Sequence, residues 1–325
     1  MSWDFTVAFY NVENFFDVKN DPRKNDEAFT PHGEMKWDEY RYHDKIENLA
    51  EVIKGMGLRH TLPAFIGFAE VENRKVIEDL LEHRDLDHEE YGIVHAESRD
   101  VRGIDVALAY SKNAFEYGGH RMINFERLTG EEFNARDIMY VWGKMINGDK
   151  VHLFVNHWPS RRAGKEKTEY KRLAAATALR EEINNIQYKE PDARIIIMGD
   201  FNDQPHDDSL RHVLKAGENG HGDQALVNLG WPISKRQWGS VSHEDEWYLF
   251  DMFIVTGNLL NKGTLQVHKE RMHLFDEGDT MNKMGRSNKV KPNRTYVGRR
   301  YVGGYSDHLA VFMRLKVEEL PNSEQ

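Results

Sequence analysis

The sequence contains no cysteine. That removes disulfides, thiolate metal sites and a cysteine nucleophile together. It has no apolar run of membrane-spanning length, and its first residues, Met1-Ser-Trp-Asp-Phe5, carry no basic segment leading into an apolar one. As written, the chain is expected in the cytoplasm, or outside the cell where a secretion signal has been trimmed away. Proline is scarce and scattered, nine in 325 residues. No linker, low-complexity tract or internal repeat divides the chain, so one domain over residues 1–325 is the expectation. Positive charge is also short: 44 Lys and Arg against 54 Asp and Glu leave a formal −10. This argues against a protein that coats nucleic acid by bulk electrostatics and leaves room for an acidic enzyme with a local basic patch.

What is present describes a globular protein, with 39% hydrophobic and 30% charged residues. Its organising stretch is Ile195-Ile-Ile-Met-Gly-Asp-Phe-Asn-Asp203, four large apolar residues running into a polar cluster. The apolar part predicts a buried strand. The polar part reads either as an Asx-rich turn or as a site in which a carboxylate and a carboxamide are held rigidly at a strand end. The same pattern recurs along the chain. Phe5 to Tyr10 predicts a strand ending at Asn11, and Pro63 to Ala69 another that delivers Glu70, Glu72 and Asn73. Residues 138–146 and 151–155 predict a hairpin about Asn147-Gly148 that runs out into Asn156-His157-Trp158-Pro159. Residues 248–255 predict an apolar strand with Asp251 in its middle, where a carboxylate is costly unless it is paired or meets a cation. Leu309 to Leu315 predicts the last strand, after Asp307 and His308. Helices are predicted over 37–56, 76–81 and 165–187 from the spacing of their apolar residues. Strand-rich α/β with two stacked sheets fits this inventory better than a doubly wound parallel sheet.

Taken together, Tyr10-Asn-Val-Glu13, Phe68-Ala-Glu-Val-Glu72, Asn156-His-Trp-Pro159, Met198-Gly-Asp-Phe-Asn202, Phe250-Asp-Met-Phe-Ile254 and Ser306-Asp-His308 resemble the motifs of the endonuclease/exonuclease/phosphatase superfamily. The resemblance implies a four-layer α/β sandwich, two stacked mixed β-sheets flanked by helices, with the site at one rim. It implies a metal-dependent phosphoesterase in which Glu70, with Asn11 and Asp307, holds a divalent ion. Hard oxygen donors without thiolates suit Mg²⁺ or Mn²⁺. In the same resemblance His308, oriented by Asp251, is the general base or electrostatic partner of the attacking water. Asp200 and Asn202 position that water and the phosphate, and His157 donates to a phosphate oxygen. Glu97 is similar to a glutamate that pairs with this histidine in the deoxyribonucleases, or is a surface carboxylate. Arg102 either meets phosphate or is solvated.

Basic residues gather at two places. Lys283, Arg286, Lys289, Lys291, Arg294, Arg299 and Arg300 precede Asp307-His308 with no acidic residue among them, and Arg161, Arg162, Lys165, Lys167, Lys171 and Arg172 follow His157. Beside catalytic candidates in an acidic protein, both groups point to a phosphate-rich polymer. Tyr296, Tyr301 and Tyr305, interleaved with the first, are expected to stack on bases. The expected partner is therefore nucleic acid, DNA favoured, and the expected activity a nuclease. The alternative is a phosphatase of small or lipid phosphoesters. No exposed amphipathic helix marks a membrane-docking face, and no protein partner is evident.

Overall fold

The computed structural model describes residues 2–58, 61–261, 263–283 and 290–319. Its first strand, β1 (Ser2–Phe15), shows how the layers arise. Val7 and Phe9 point into the space between two sheets, whereas Ala8, Tyr10 and Val12 point to the opposite face, against helices. Both faces are buried, so the strand reads as an apolar run without a polar side.

Helix α1 (Glu39–Gly55) follows, started by the Asp38 side chain, which accepts the Arg41 backbone N–H. It buries Ile46, Leu49 and Ile53 on the outer face of the sheet. The chain returns as β2 (Phe65–Val71), parallel to β1. Asn73, expected as a polar group of the site, instead caps α2 (Arg74–Leu81) by accepting the Val76 N–H at 3.1 Å. Strands β3 (Tyr91–His95) and β4 (Asp105–Ser111) complete this side. The second sheet opens with β5 (Phe115–Ile123), β6 (Ile138–Met145) and β7 (Lys150–His157). Helix α3 (Lys165–Lys189) then crosses over to β8 (Ile195–Asp200), parallel to β7.

The rest of the second sheet is β9 (Ala216–Gly217), β10 (Leu226–Asn228) and, after the short α4 (Trp231–Ser234) and the hairpin β11 (Val241–His243) and β12 (Glu246–Tyr248), the strand β13 (Asp251–Thr256). Strand β14 (Leu265–Leu274) returns to the first sheet. The small pairs β15 (Met281–Lys283) with β16 (Val290–Pro292) and β17 (Tyr296–Val297) with β18 (Arg300–Tyr301) lead to the closing β19 (Val311–Glu318).

The strand order is β14-β19-β1-β2-β4-β3 in one sheet and β5-β6-β7-β8-β13-β10-β9 in the other. Helices α1 and α2 cover the first sheet and α3 the second, so the layers run helix, sheet, sheet, helix as the sequence implied. The sheets approach closely at Gly67 of β2, where an added Cβ would come within 2.7 Å of the Met198 sulfur on β8. Two of the long strands escaped the sequence reading, as did the short β9 to β12 and β15 to β18. In β5 the alternation is broken by Gly118-Gly119, where the register with β6 shifts, and β14 carries a bulge between Val267 and Met272 among charged residues. Asp251 is the first residue of its strand, not its middle.

Candidate active site

Three adjacent strand ends of the second sheet carry His157, Asp200 and Asp251. The parallel β7–β8 ladder pairs His157 with Asp200, and the antiparallel β8–β13 ladder pairs Asp200 with Asp251. One register therefore sets all three in a row. Gly199 permits it, since a Cβ there would sit 2.4 Å from the Asn156 carbonyl oxygen. His308 comes from the segment before β19, which bridges to Val241. Its Nδ1 lies 2.7 Å from Asp251 Oδ2 and its Nε2 3.9 Å from Asp200 Oδ2. A carboxylate cannot donate, so Nδ1 carries the proton and Nε2 is turned toward Asp200. Burial opposes charge on His308, but Asp251 and Asp200 more than offset it and hold its pKa well above the usual value. Burial raises the Asp200 pKa, and the neighbouring Asp251 charge raises it further. Asp251 Oδ1 is buried with no hydrogen-bond partner among the described residues.

The first sheet faces this row. Asn11 donates from Nδ2 to Asp200 Oδ2 at 3.1 Å, bridging the two sheets. Glu70 sits where the β2–β4 register shifts, with φ of 64°, and its Oε2 accepts the Asn14 N–H at 3.0 Å. A bulge and a left-handed residue re-aim a side chain at a cost of order 1 kcal/mol, and here both occur at one carboxylate. Asn202 is also left-handed, with φ of 50°. Its N–H donates to Asp200 Oδ1 at 2.9 Å and its Nδ2 to the Trp158 carbonyl at 3.0 Å. His157 Nε2 lies between the two sheets, 3.6 Å from Asp200 Oδ2 and 3.9 Å from Glu70 Oε1. Burial, together with Arg136, Arg102 and His308, holds the His157 pKa well below the usual value, so the ring is neutral.

Asp307 is one-third exposed and its Oδ2 accepts from Arg294 at 2.8 Å. Arg294 also reaches Glu13, whose carboxylate accepts the Thr295 N–H at 2.8 Å. Beneath them, fully buried Lys45 of α1 donates to Thr295 Oγ1 at 2.7 Å and to the Tyr305 carbonyl. Burial and the Asp307 charge raise the Glu13 pKa, and burial lowers that of Lys45 against the pull of Glu13. Neither Lys45 nor Glu13 was singled out from sequence, and the only signal was that Glu13 closes a motif. Arg136 was missed as well. It is buried, pairs with Asp100 at 2.5 Å and donates to the backbone carbonyls of His157 and Trp158.

Several expected substrate contacts are engaged elsewhere. Glu97 gathers with His95 and Asp105 rather than with His157, whose Nδ1 has no partner among the described residues. Arg161 pairs with Asp203 at 2.6 Å and with Asp207, and Arg102 with Asp100 at 2.9 Å. Arg299 pairs with Glu34, and Arg300 is exposed. The tyrosines are not stacking platforms: Tyr296 donates to the Met35 carbonyl, Tyr305 to Glu51 and Tyr301 to Asp44, which fastens their segment to α1 and the loop before it. Arg286 and Lys289 lie outside the described residues, as does the Lys283 side chain.

Among the described residues, two groups of three His, Asp or Glu ligand atoms lie within 4.8 Å of one another: Asp200, Asp251 and His308, and His95, Glu97 and Asp105. Glu70 and Asp307 join neither. The Glu70 carboxylate nonetheless faces the row, and its Oε1 has no hydrogen bond to a described residue. That chemistry fits a hard divalent cation.

A two-sheet sandwich with such a rim defines a class of phosphoester hydrolases. The model of the Endonuclease/Exonuclease/phosphatase family matches residues 6–317, and the chain belongs to that family, whose members are metal-dependent phosphoesterases. Solved structures share the fold at low identity. TDP2 from D. rerio, complexed with a single-strand DNA product, is 13% identical, with a TM-score of 0.58 over 96% of this chain and 98% of that one. The human Nocturnin catalytic domain with bound sulfate is 14% identical, with a TM-score of 0.55 over 96% and 94%. A mannosyl-6-phosphatase from Bacteroides thetaiotaomicron is 16% identical, with a TM-score of 0.57 over 96% and 99%. No curated protein matches significantly. No helix among the described residues is long and apolar enough to cross a membrane.

Proposed function

We propose that this protein is a divalent-metal-dependent phosphodiesterase that cleaves nucleic acid, with DNA the favoured substrate, by in-line attack of water. The observation that carries the reading is the row His157–Asp200–Asp251, locked by strand register and closed by the 2.7 Å His308–Asp251 pair, facing the Glu70 rim. In this reading Glu70 with Asn11 and Asp307 would hold Mg²⁺ or Mn²⁺, which would supply neutralisation of charge on the phosphate or leaving group. His308, kept cationic and oriented by Asp251, holds the attacking water or stabilises charge beside it. Asp200, whose raised pKa suits a proton acceptor, takes the water's proton, with Asn202 fixing its carboxylate through the backbone. Neutral His157 donates from Nε2 to a phosphate oxygen, where charge grows in the transition state.

A second reading, a phosphatase of small or lipid phosphoesters, is favoured by one observation. The described cations before Asp307 are largely spent on internal pairs: Lys291 with Asp245 at 3.7 Å, Arg294 with Asp307 and Arg299 with Glu34. Nicking of supercoiled plasmid with Mg²⁺, Mn²⁺ or excess chelator, with Asp200→Ala alongside, decides between them. Metal-dependent nicking lost in the variant supports the nuclease. No nicking, with release of phosphate from inositol phosphates or sugar phosphates, overturns it in favour of the phosphatase.

A further inference from the structure

Beside the catalytic row lies a cleft of about 460 Å³, walled by the turn at 100–102, the segment 133–136 and the beginning of α3. Its lining includes four cations, Arg102, Arg136, Arg162 and Lys171, against one carboxylate, Asp100, in a chain whose net charge is −10. Arg136 ties the cleft to the row, because it lines the cleft and donates to the backbone carbonyls of His157 and Trp158.

The basic residues at the start of α3 divide into two kinds. Arg161, Lys165 and Arg172 are neutralised by Asp203 and Asp207. Arg162 and Lys171, which line the cleft, have no carboxylate within ion-pair distance among the described residues. The Lys171 ammonium sits 4.2 Å over the Phe133 ring, which offers the cleft an aromatic wall. Free cations on a convex surface are simply hydrated. Here they converge on a concavity whose lone carboxylate already pairs with Arg136 and Arg102.

We propose that this cleft binds a second phosphate of the substrate, one that flanks the scissile diester, through Arg162 and Lys171. The inference rests on the phosphodiesterase reading and names its substrate as a chain of at least two phosphates.

The test uses Arg162→Ala/Lys171→Ala, with Lys144→Ala as a control that removes a charge from the far end of β6. Each protein is assayed on d(TpT), which has no flanking phosphate, and on (dT)8. Binding of fluorescein-labelled (dT)8 in excess chelator is followed by polarisation across a salt series. The double variant is expected to keep the wild-type melting temperature. Its ratio of kcat/KM for (dT)8 over d(TpT) should fall about tenfold, mostly in KM. Its log–log salt slope should drop by about 0.7 for each phosphate it no longer neutralises, and the control should match wild type. An unchanged ratio and slope overturn the cleft. If wild type cleaves neither substrate, the phosphodiesterase reading fails by itself. The polarisation arm still decides the cleft, because absent binding or an unchanged slope overturns it.

Discussion

The two sheets bring their side chains to the site by different devices. On the second sheet His157, Asp200 and Asp251 are neighbours because their strands are hydrogen-bonded in one register. Their geometry is inherited from the backbone ladder and from the apolar residues, Ile195 to Met198, that bury it. On the first sheet Glu70 projects from a bulge, and Asp307 is fixed by Arg294, Glu13, Thr295 and Lys45, side chains drawn from opposite ends of the sequence. A ladder tolerates the removal of a side chain. A buried ionic network does not, because each member removed leaves a charge without its partner. On the proposed function, the row on the second sheet should thus fail in chemistry when mutated, and the Lys45–Glu13 network on the first in stability.

The largest expected effect breaks the comparison on its robust side. Asp200→Ala should lower kcat by about 10²–10⁴-fold with little change in melting temperature, because it removes a buried carboxylate that the neighbouring Asp251 charge already opposes. A variant that unfolds instead would show that the row carries the fold as well as the reaction. Lys45→Met tests the fragile side. It removes the cation beneath Glu13 and Asp307 and should cost about 3–5 kcal/mol of unfolding free energy, read by denaturant titration. Lys45→Met/Glu13→Gln, which removes both charges, should recover part of that stability. If the double variant is worse than the single by the full cost of a second lesion, the two groups are not coupled.

Metal addition sharpens the contrast further. If a cation is held as proposed by Glu70, Asn11 and Asp307, it would stabilise the folded state by about 2.7 kcal/mol at a hundred times its dissociation constant, so millimolar Mg²⁺ or Mn²⁺ should raise the melting temperature and chelator should reverse it. Glu70→Gln should abolish the shift, whereas Asp251→Asn should retain it. A shift lost in Asp251→Asn and kept in Glu70→Gln would move the ion to the Asp200, Asp251 and His308 group.

What was legible in the sequence follows the same division. Polar residues beside a predicted apolar strand are a local signal, so Asn11, Glu70, His157, Asp200, Asn202 and His308 could be marked as candidates one by one, as could Asp251 inside an apolar run, and the strand-rich inventory implied two stacked sheets. Lys45 lies on the buried face of α1 beside Tyr42, Ile46 and Leu49, where only its tertiary partners explain a lysine, and Arg136 precedes a strand with no motif around it. Their roles exist only once residues far apart in sequence are folded together. The same limit explains Arg161, Arg102 and the three tyrosines. Basic and aromatic residues near a site look available until their tertiary partners, Asp203, Asp207, Asp100, Met35, Asp44 and Glu51, are in view.

The smallest effect concerns the end of the second sheet remote from the site. His152 on β7 is buried, with Nδ1 2.7 Å from the Tyr140 hydroxyl and Nε2 3.3 Å from Glu190. Burial lowers its pKa below the ordinary 6.5, and Glu190 only partly offsets this. The folded state thus prefers the neutral ring, while the unfolded chain takes up a proton near its ordinary value. The stability this contributes is fully present above about pH 6.5 and is lost as pH falls through the lower folded value. In His152→Gln, which cannot titrate and can still accept from Tyr140, melting temperature should fall less steeply than wild type between pH 7 and 5, by about 1–3 °C. Parallel curves would mean that burial of His152 is relieved by local opening rather than by global unfolding, and that the ladder is weaker at this end than at the catalytic one.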